Sequence, residues 1–177
     1  MAEVILFREV QRLRQIWLWL IVLCAPAILI YGMIQQLILD NPFGNNPTSD
    51  TVLIILGIVL GLGLPCFMYT INLTTEVHTD GLYLKYFPFH LSFREIAFEE
   101  IKSYTAQTYS PIKDYGGWGI KFGRGGKAYN VSGNSGVQME LVNGEKLLIG
   151  SKRSEELAMA IGTGIQSKPD SQGKLTP

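Results

Sequence analysis

The densest group of side chains able to hold an anion is the run Lys121-Phe122-Gly123-Arg124-Gly125-Gly126-Lys127. Three cations surround glycines whose backbone amides can line an anion. The run lacks the Lys-Ser/Thr ending of a nucleotide-binding loop and no helix pattern follows it, so it is not a P-loop. A solvated hairpin tip accounts for the same composition. A second basic group, Arg8, Arg12 and Arg14, precedes the first apolar stretch, where arginines can meet anionic headgroups. These six residues are the candidates for anion or lipid contact.

The remaining chemistry-bearing residues are dispersed. Glu99 and Glu100 are adjacent, so on a strand they face opposite sides and cannot work as an acid/base pair. His78 and His90 have no metal-ligand spacing and read as solvated surface residues. The Gly-Asn-Ser-Gly stretch at 133–136 lacks the nucleophile-elbow pattern. Trp118, among glycines, is expected in the core, with an exposed recognition residue as the alternative. No catalytic, cofactor-binding or metal-ligating residue is nominated, and the expectation is a protein that is not an enzyme and carries no cofactor.

Two stretches determine where such residues would act. Residues 15–39 and 51–75 contain no Asp, Glu, Lys or Arg. About 20 apolar residues of helix cross a bilayer's hydrocarbon core, so spans are expected at 15–39 and 51–73. The loop between them, 40–50, is polar and turn-rich, with Asp40 and Asp50 as its only charges. Arginines before the first span and none in the loop place both termini in the cytoplasm and the loop outside, in a multi-pass protein of the cell membrane. Trp17 and Trp19 suit the interfacial belt. Ala25-Pro26-Ala27 resembles a signal-peptide cleavage site, but apolar sequence continues past it. Pro26 and Pro65 each remove a backbone donor and are expected to kink or open their helices. Gly57 and Gly61 form a G-x-x-x-G motif that packs the two spans together or, alternatively, two copies of the chain. Neither span holds an ionisable proton-relay residue, which disfavours transport.

The 177 residues carry a formal net charge of +0, with 47% hydrophobic and 17% charged residues and a mean hydropathy of +0.18. That suits two spans and one small domain. Nothing in the charge balance favours nucleic acid as a partner. Cys24 and Cys66, the only cysteines, fall within the spans and leave the rest without a disulfide framework.

Around the spans, residues 1–14 read as an amphipathic N-terminal segment, helical over 3–14 from Leu6, Val10, Leu13 and Trp17. From residue 74 the period changes to strands. A hairpin turns at Asp80-Gly81, strands follow at 93–97 and 101–109, and a loop occupies 110–117. Strands at 118–122 and 127–131 flank the basic turn, and a last hairpin turns at Asn143-Gly144. Ser154 caps a helix over 154–161 that Gly162 and Gly164 can end, and the tail 166–177 has a disordered composition.

The runs Phe98-Glu99-Glu100-Ile101-Lys102-Ser103-Tyr104, Gly116-Gly117-Trp118-Gly119-Ile120, Asn143-Gly144-Glu145-Lys146-Leu147-Leu148-Ile149-Gly150-Ser151 and Glu155-Glu156-Leu157 resemble bacterial pleckstrin-homology-like (PH-like) domains behind membrane hairpins. The resemblance implies a membrane α-helical hairpin plus a mainly-β PH-like barrel over 74–165, of about seven strands and one C-terminal capping helix. It also implies a non-enzymatic module that binds an unidentified protein partner or a second copy of itself. An anionic-lipid sensing module at the inner membrane face is the alternative. PH domains that read inositides carry Lys and Arg around their first hairpin. Here His78-Thr79-Asp80-Gly81 stands in that place, with Lys85 as the nearest cation.

Overall fold

The computed structural model describes residues 4–167. The chain forms two compact units: Leu13–Ile71, and the flanking segments Met1–Arg12 with Asn72–Pro177.

The first unit holds two helices long and apolar enough to cross a membrane, α1 (Ile16–Ile38, 23 residues) and α2 (Asp50–Thr70, 21 residues). At 1.5 Å per residue they reach about 35 and 32 Å, against a hydrocarbon core of roughly 30 Å. The uncharged stretch outlasts the second helix, which stops at Thr70 so that Asn72 can begin a strand. Pro26 sits inside an unbroken α-helix, Ile16–Met33. Wider π turns occur instead at Ile34–Ile38 and Gly57–Gly63. The second lies just before Pro65, whose missing N–H leaves the preceding turn without a donor. At the start of α1, the Trp19 indole N–H donates back to the Leu13 carbonyl at 2.9 Å. Between the helices, the Gln36 amide donates to the Thr48 carbonyl (2.8 Å) and the Asp50 carboxylate (2.7 Å), which ties the loop back to α1.

The second unit begins with a correction. The N-terminal segment expected as an amphipathic helix is a strand, β1 (Ile5–Arg12). It pairs antiparallel with β2 (Asn72–His78), with Arg12 opposite Asn72 and Arg8 opposite Glu76. β3 (Gly81–Phe87) and β4 (Arg94–Ala97) complete a sheet of order β1-β2-β3-β4. The second sheet comprises β5 (Ile101–Thr108), β6 (Gly119–Gly123), β7 (Gly126–Asn130), β8 (Ser135–Leu141) and β9 (Lys146–Gly150), in the order β5-β8-β9-β7-β6. β7 and β9 run parallel; the other pairs are antiparallel. The expected barrel of about seven strands is thus, among the described residues, two open sheets with nine strands, the first completed by a strand from before the helices.

The segment expected as a loop at 110–117 contains a short helix, α3 (Pro111–Tyr115), with Ser110 as its cap and left-handed Gly116 at its end. The C-terminal helix α4 (Ser154–Ser167) continues through Gly162 and Gly164 rather than ending there. These glycines are packing positions: a Cβ on Gly164 would lie 2.3 Å from the Phe98 ring, and one on Gly162 would lie 2.7 Å from the Tyr104 hydroxyl. α4 packs on β1 and β2 of one sheet and on β5 and β8 of the other. It buries Leu157, Ala160, Ile161 and Gly164 along one face. Of the tail assigned to 166–177, residues 166 and 167 belong to α4, and the rest lies outside the described residues.

Candidate functional site

The structure does not gather the six cations nominated from sequence. Arg14 belongs to the helical unit. Arg8 projects from β1 and pairs with Glu76, Nε to Oε1 at 3.1 Å. The other oxygen of Glu76 lies 3.0 Å from His78 Nε2. Both Glu76 and His78 are buried, so the expectation of a solvated His78 is corrected. Trp118 is half-buried rather than in the core, and its indole N–H donates to the Gly133 carbonyl at 2.9 Å. Glu99 and Glu100 are both exposed on a 3₁₀ turn, Phe98–Glu100.

Lys121, Arg124 and Lys127 do share the β6–β7 hairpin, but its turn is a tight structural one. Gly126 has φ +88°, and a Cβ there would stand 2.0 Å from the Lys146 carbonyl oxygen. The turn lies at the Lys146 end of its sheet, since Lys127 is paired with Leu147 and Glu140 with Lys146. Gly150 and Asn130 mark the other end. There the Gln11 side-chain amide donates to the Gly150 carbonyl (2.6 Å) and the Tyr86 hydroxyl to the Asn130 carbonyl (3.3 Å). Burial pushes the Tyr86 phenol up to about 12, so it stays a neutral donor. Arg124 therefore lies at the opposite end of the unit from Arg12.

Lys127 reaches back along the sheet and joins residues that sequence reasoning passed over. Its ammonium lies 4.9 Å from the centre of the Tyr129 ring. The Arg94 guanidinium donates to the hydroxyl of the same fully buried tyrosine at 3.2 Å. The His90 ring stacks obliquely on it at 5.6 Å. Three basic side chains thus surround one aromatic ring. The His90 Nδ1 is buried without a hydrogen-bond partner among the described residues. Desolvation, with Lys127 and Arg94 adding like charge, lowers the His90 pKa from its usual 6.5. The folded chain therefore resists a proton that the unfolded chain accepts. His90 costs nothing well above pH 6.5, and stability falls as the pH drops through that value. The expected outcome is that His90→Gln, melted beside the wild type in one detergent, gains relative stability as pH is lowered through 6.5. A wild type that gains instead would contradict this placement of His90.

The segment from Phe87 to Arg94 joins β3 to β4 and contains no Asp or Glu. It exposes Phe89, Leu91 and Phe93. Lys85 Nζ lies 5.8 Å over the Phe93 ring. In sequence, Phe87–His90 reads as a break after the Asp80-Gly81 hairpin and Phe93 as the start of a strand; the usable signal is three large apolar side chains in a turn-length loop bracketed by cations.

Within the helical unit, Gly57 and Gly61 differ. A Cβ on Gly57 would stand 2.7 Å from Met33 Sδ of α1, whereas Gly61 has nothing within 4 Å. Gly61 lines a cleft of about 230 Å³ with Pro26, Met33 and Leu62.

No curated protein matches the sequence. A family profile covers residues 2–168, and that span takes in both apolar helices and both sheets. The chain belongs to DUF6141, a family of unknown function.

Proposed function

We propose that the protein is a non-enzymatic integral membrane protein of the cell membrane, in which an out-and-back helical hairpin holds a PH-like β module at the cytoplasmic face as a protein-binding or assembly module. One observation carries the reading. Arg12 and Asn72 are opposite residues on neighbouring strands, and both apolar helices lie between them in the chain. A chain that leaves a sheet and returns to the same rung must cross a membrane an even number of times. The arginine asymmetry about α1 supports the cytoplasmic side for the β unit. A four-stranded sheet, then a second sheet, then a C-terminal helix is an order that supports the PH-like assignment. The edge strands β4 and β5 offer backbone groups to a partner segment or to a second copy. An anionic-lipid role is the second reading, favoured by the convergence of His90, Arg94 and Lys127 on Tyr129.

Single cysteines at Asn45 and Asn143, in a background lacking Cys24 and Cys66, test the arrangement. In intact cells an impermeant maleimide should label position 45 and leave 143 unlabelled until the membrane is permeabilised. Labelling of 143 alone would invert the orientation, and equal labelling of both would remove the hairpin.

A further inference from the structure

The loop at 88–93 exposes Phe89 by 60%, Leu91 by 77% and Phe93 by 42%. Three large apolar side chains on one short loop make a patch that a soluble surface seldom leaves uncovered. Its position narrows what covers it. Asn72 is opposite Arg12 on one side and Phe87 on the other. The loop therefore starts from the rung at which the chain departs for the apolar helices and returns from them. With strands ~4.8 Å apart, Phe87, the residue before the loop, stands roughly 5 Å from one exit and 10 Å from the other. Charge narrows it further. Between Leu84 and Arg94 the chain carries Lys85, His90 and Arg94 and no acidic residue. Lys127 approaches from the second sheet and lies over Tyr129, which Arg94 also contacts.

An apolar tip on a basic shoulder is the chemistry that enters the boundary between acyl chains and anionic headgroups. A protein groove would satisfy the tip equally, but the strand ends from which the chain leaves for the apolar helices lie one or two strand spacings from Phe87, which favours the bilayer. We propose that this loop is a membrane-contact element: Phe89, Leu91 and Phe93 lie in the interfacial layer of the bilayer crossed by the helices, while Lys85, Arg94 and Lys127 face its anionic phosphates. The proposal rests on the out-and-back anchor above and adds what the module does once held there. It fixes the orientation of the β unit against the lipid surface and makes that orientation depend on lipid charge.

The test uses the full chain, lacking Cys24 and Cys66, reconstituted in phosphatidylcholine vesicles with or without phosphatidylglycerol. A nitroxide is placed at Ser92, within the loop, or at Asn143. Position 143 is the distant reference: Val142 N–H bonds the Glu100 carbonyl, and Glu100 follows Ala97, the partner of Gly81 at the far end of β3. Collision of the nitroxide with dissolved oxygen and with a water-soluble nickel chelate reports depth. The expected result is protection from the chelate at 92 and none at 143. Protection should be greater in vesicles containing phosphatidylglycerol and weakened by added salt. The triple variant Phe89→Ser, Leu91→Ser, Phe93→Ser removes the apolar tip and should abolish the protection with the far-ultraviolet circular dichroism unchanged. Equal chelate access at 92 and 143 would overturn the loop assignment, as would protection that survives the triple variant or ignores lipid charge. The anchor is read separately, by maleimide labelling at 45 and 143, so its failure would be seen there first.

Discussion

Removing residues 1–12 should unfold the β unit, although the sequence from residue 74 onward resembles a domain by itself. β1 contributes the buried Phe7 to the core, worth ~1.5–3 kcal/mol for a side chain of that size. It also supplies hydrogen bonds that nothing else can replace. Gln11 donates to the Gly150 carbonyl at 2.6 Å from a buried position. The Glu9 carboxylate accepts from the Ser151 hydroxyl at 2.5 Å and from the Lys152 N–H at 3.1 Å. The Arg153 guanidinium lies 4.9 Å over the Phe7 ring. Each buried group left unpaired costs about 1–3 kcal/mol, and a domain's whole margin is ~5–15 kcal/mol. The truncated chain in detergent should lose its near-ultraviolet circular dichroism and become sensitive to protease. The reciprocal change should be tolerated. Replacing 13–71 with Asn-Gly joins Arg12 to Asn72 through a two-residue turn suited to an antiparallel pair. The product should be soluble, sheet-rich and cooperatively unfolded. A folded truncation beside an unfolded turn replacement would refute the placement of β1.

Leu157→Ala should be the most damaging single truncation in α4. Leu157 and Ile161 are both fully buried on the face that packs against strands of both sheets. Large-to-small changes at such sites cost ~2–5 kcal/mol, because the cavity collapses only in part. Glu156 is the exposed control. It forms an exposed pair with Arg153, whose hydrogen bond holds the Glu156 carboxyl below its usual range. Exposed pairs contribute little, so Glu156→Ala should leave the urea midpoint of the full chain close to that of the wild type. Equal midpoints for the two variants would mean that α4 does not close the space between the sheets.

Much of this architecture was legible because its signals are local. Asp80-Gly81 and Asn143-Gly144 mark their turns, and the charge-free stretches mark the helices to within a few residues. β1 was not legible because its alternation is inverted. Its inward residues are Phe7, Glu9 and Gln11, two of them polar and hydrogen-bonded to a segment about 140 positions away. Its exposed residues include Ile5 and Val10. Read alone, such a strand lacks a period of two, and its apolar residues fall as well on a helical spacing. His78 was misplaced for a related reason: the partner that makes its burial tolerable, Glu76, is itself held by Arg8 across the β1 pairing. The basic turn at 121–127 was visible as composition, but cations from β7 and β4 meet only through Tyr129, a contact between sheets that no spacing encodes.

The pairing of Arg12 with Asn72 also sets an order of events during synthesis. β1 is made before its partner β2, which emerges only after the whole segment 13–71. At ~5–20 residues per second, that is a wait of about 3–12 s in which Phe7 has no core to enter. For a hairpin that crosses out and back, the first rung cannot close while only one of the two helices is inserted. A ribosome product with a single helix inserted would leave β1 and β2 on opposite sides of the membrane, with β2 exposed as a bare edge. If the helices cross out and back as proposed, a chain halted after one crossing could not complete the sheet and would be left open to proteases.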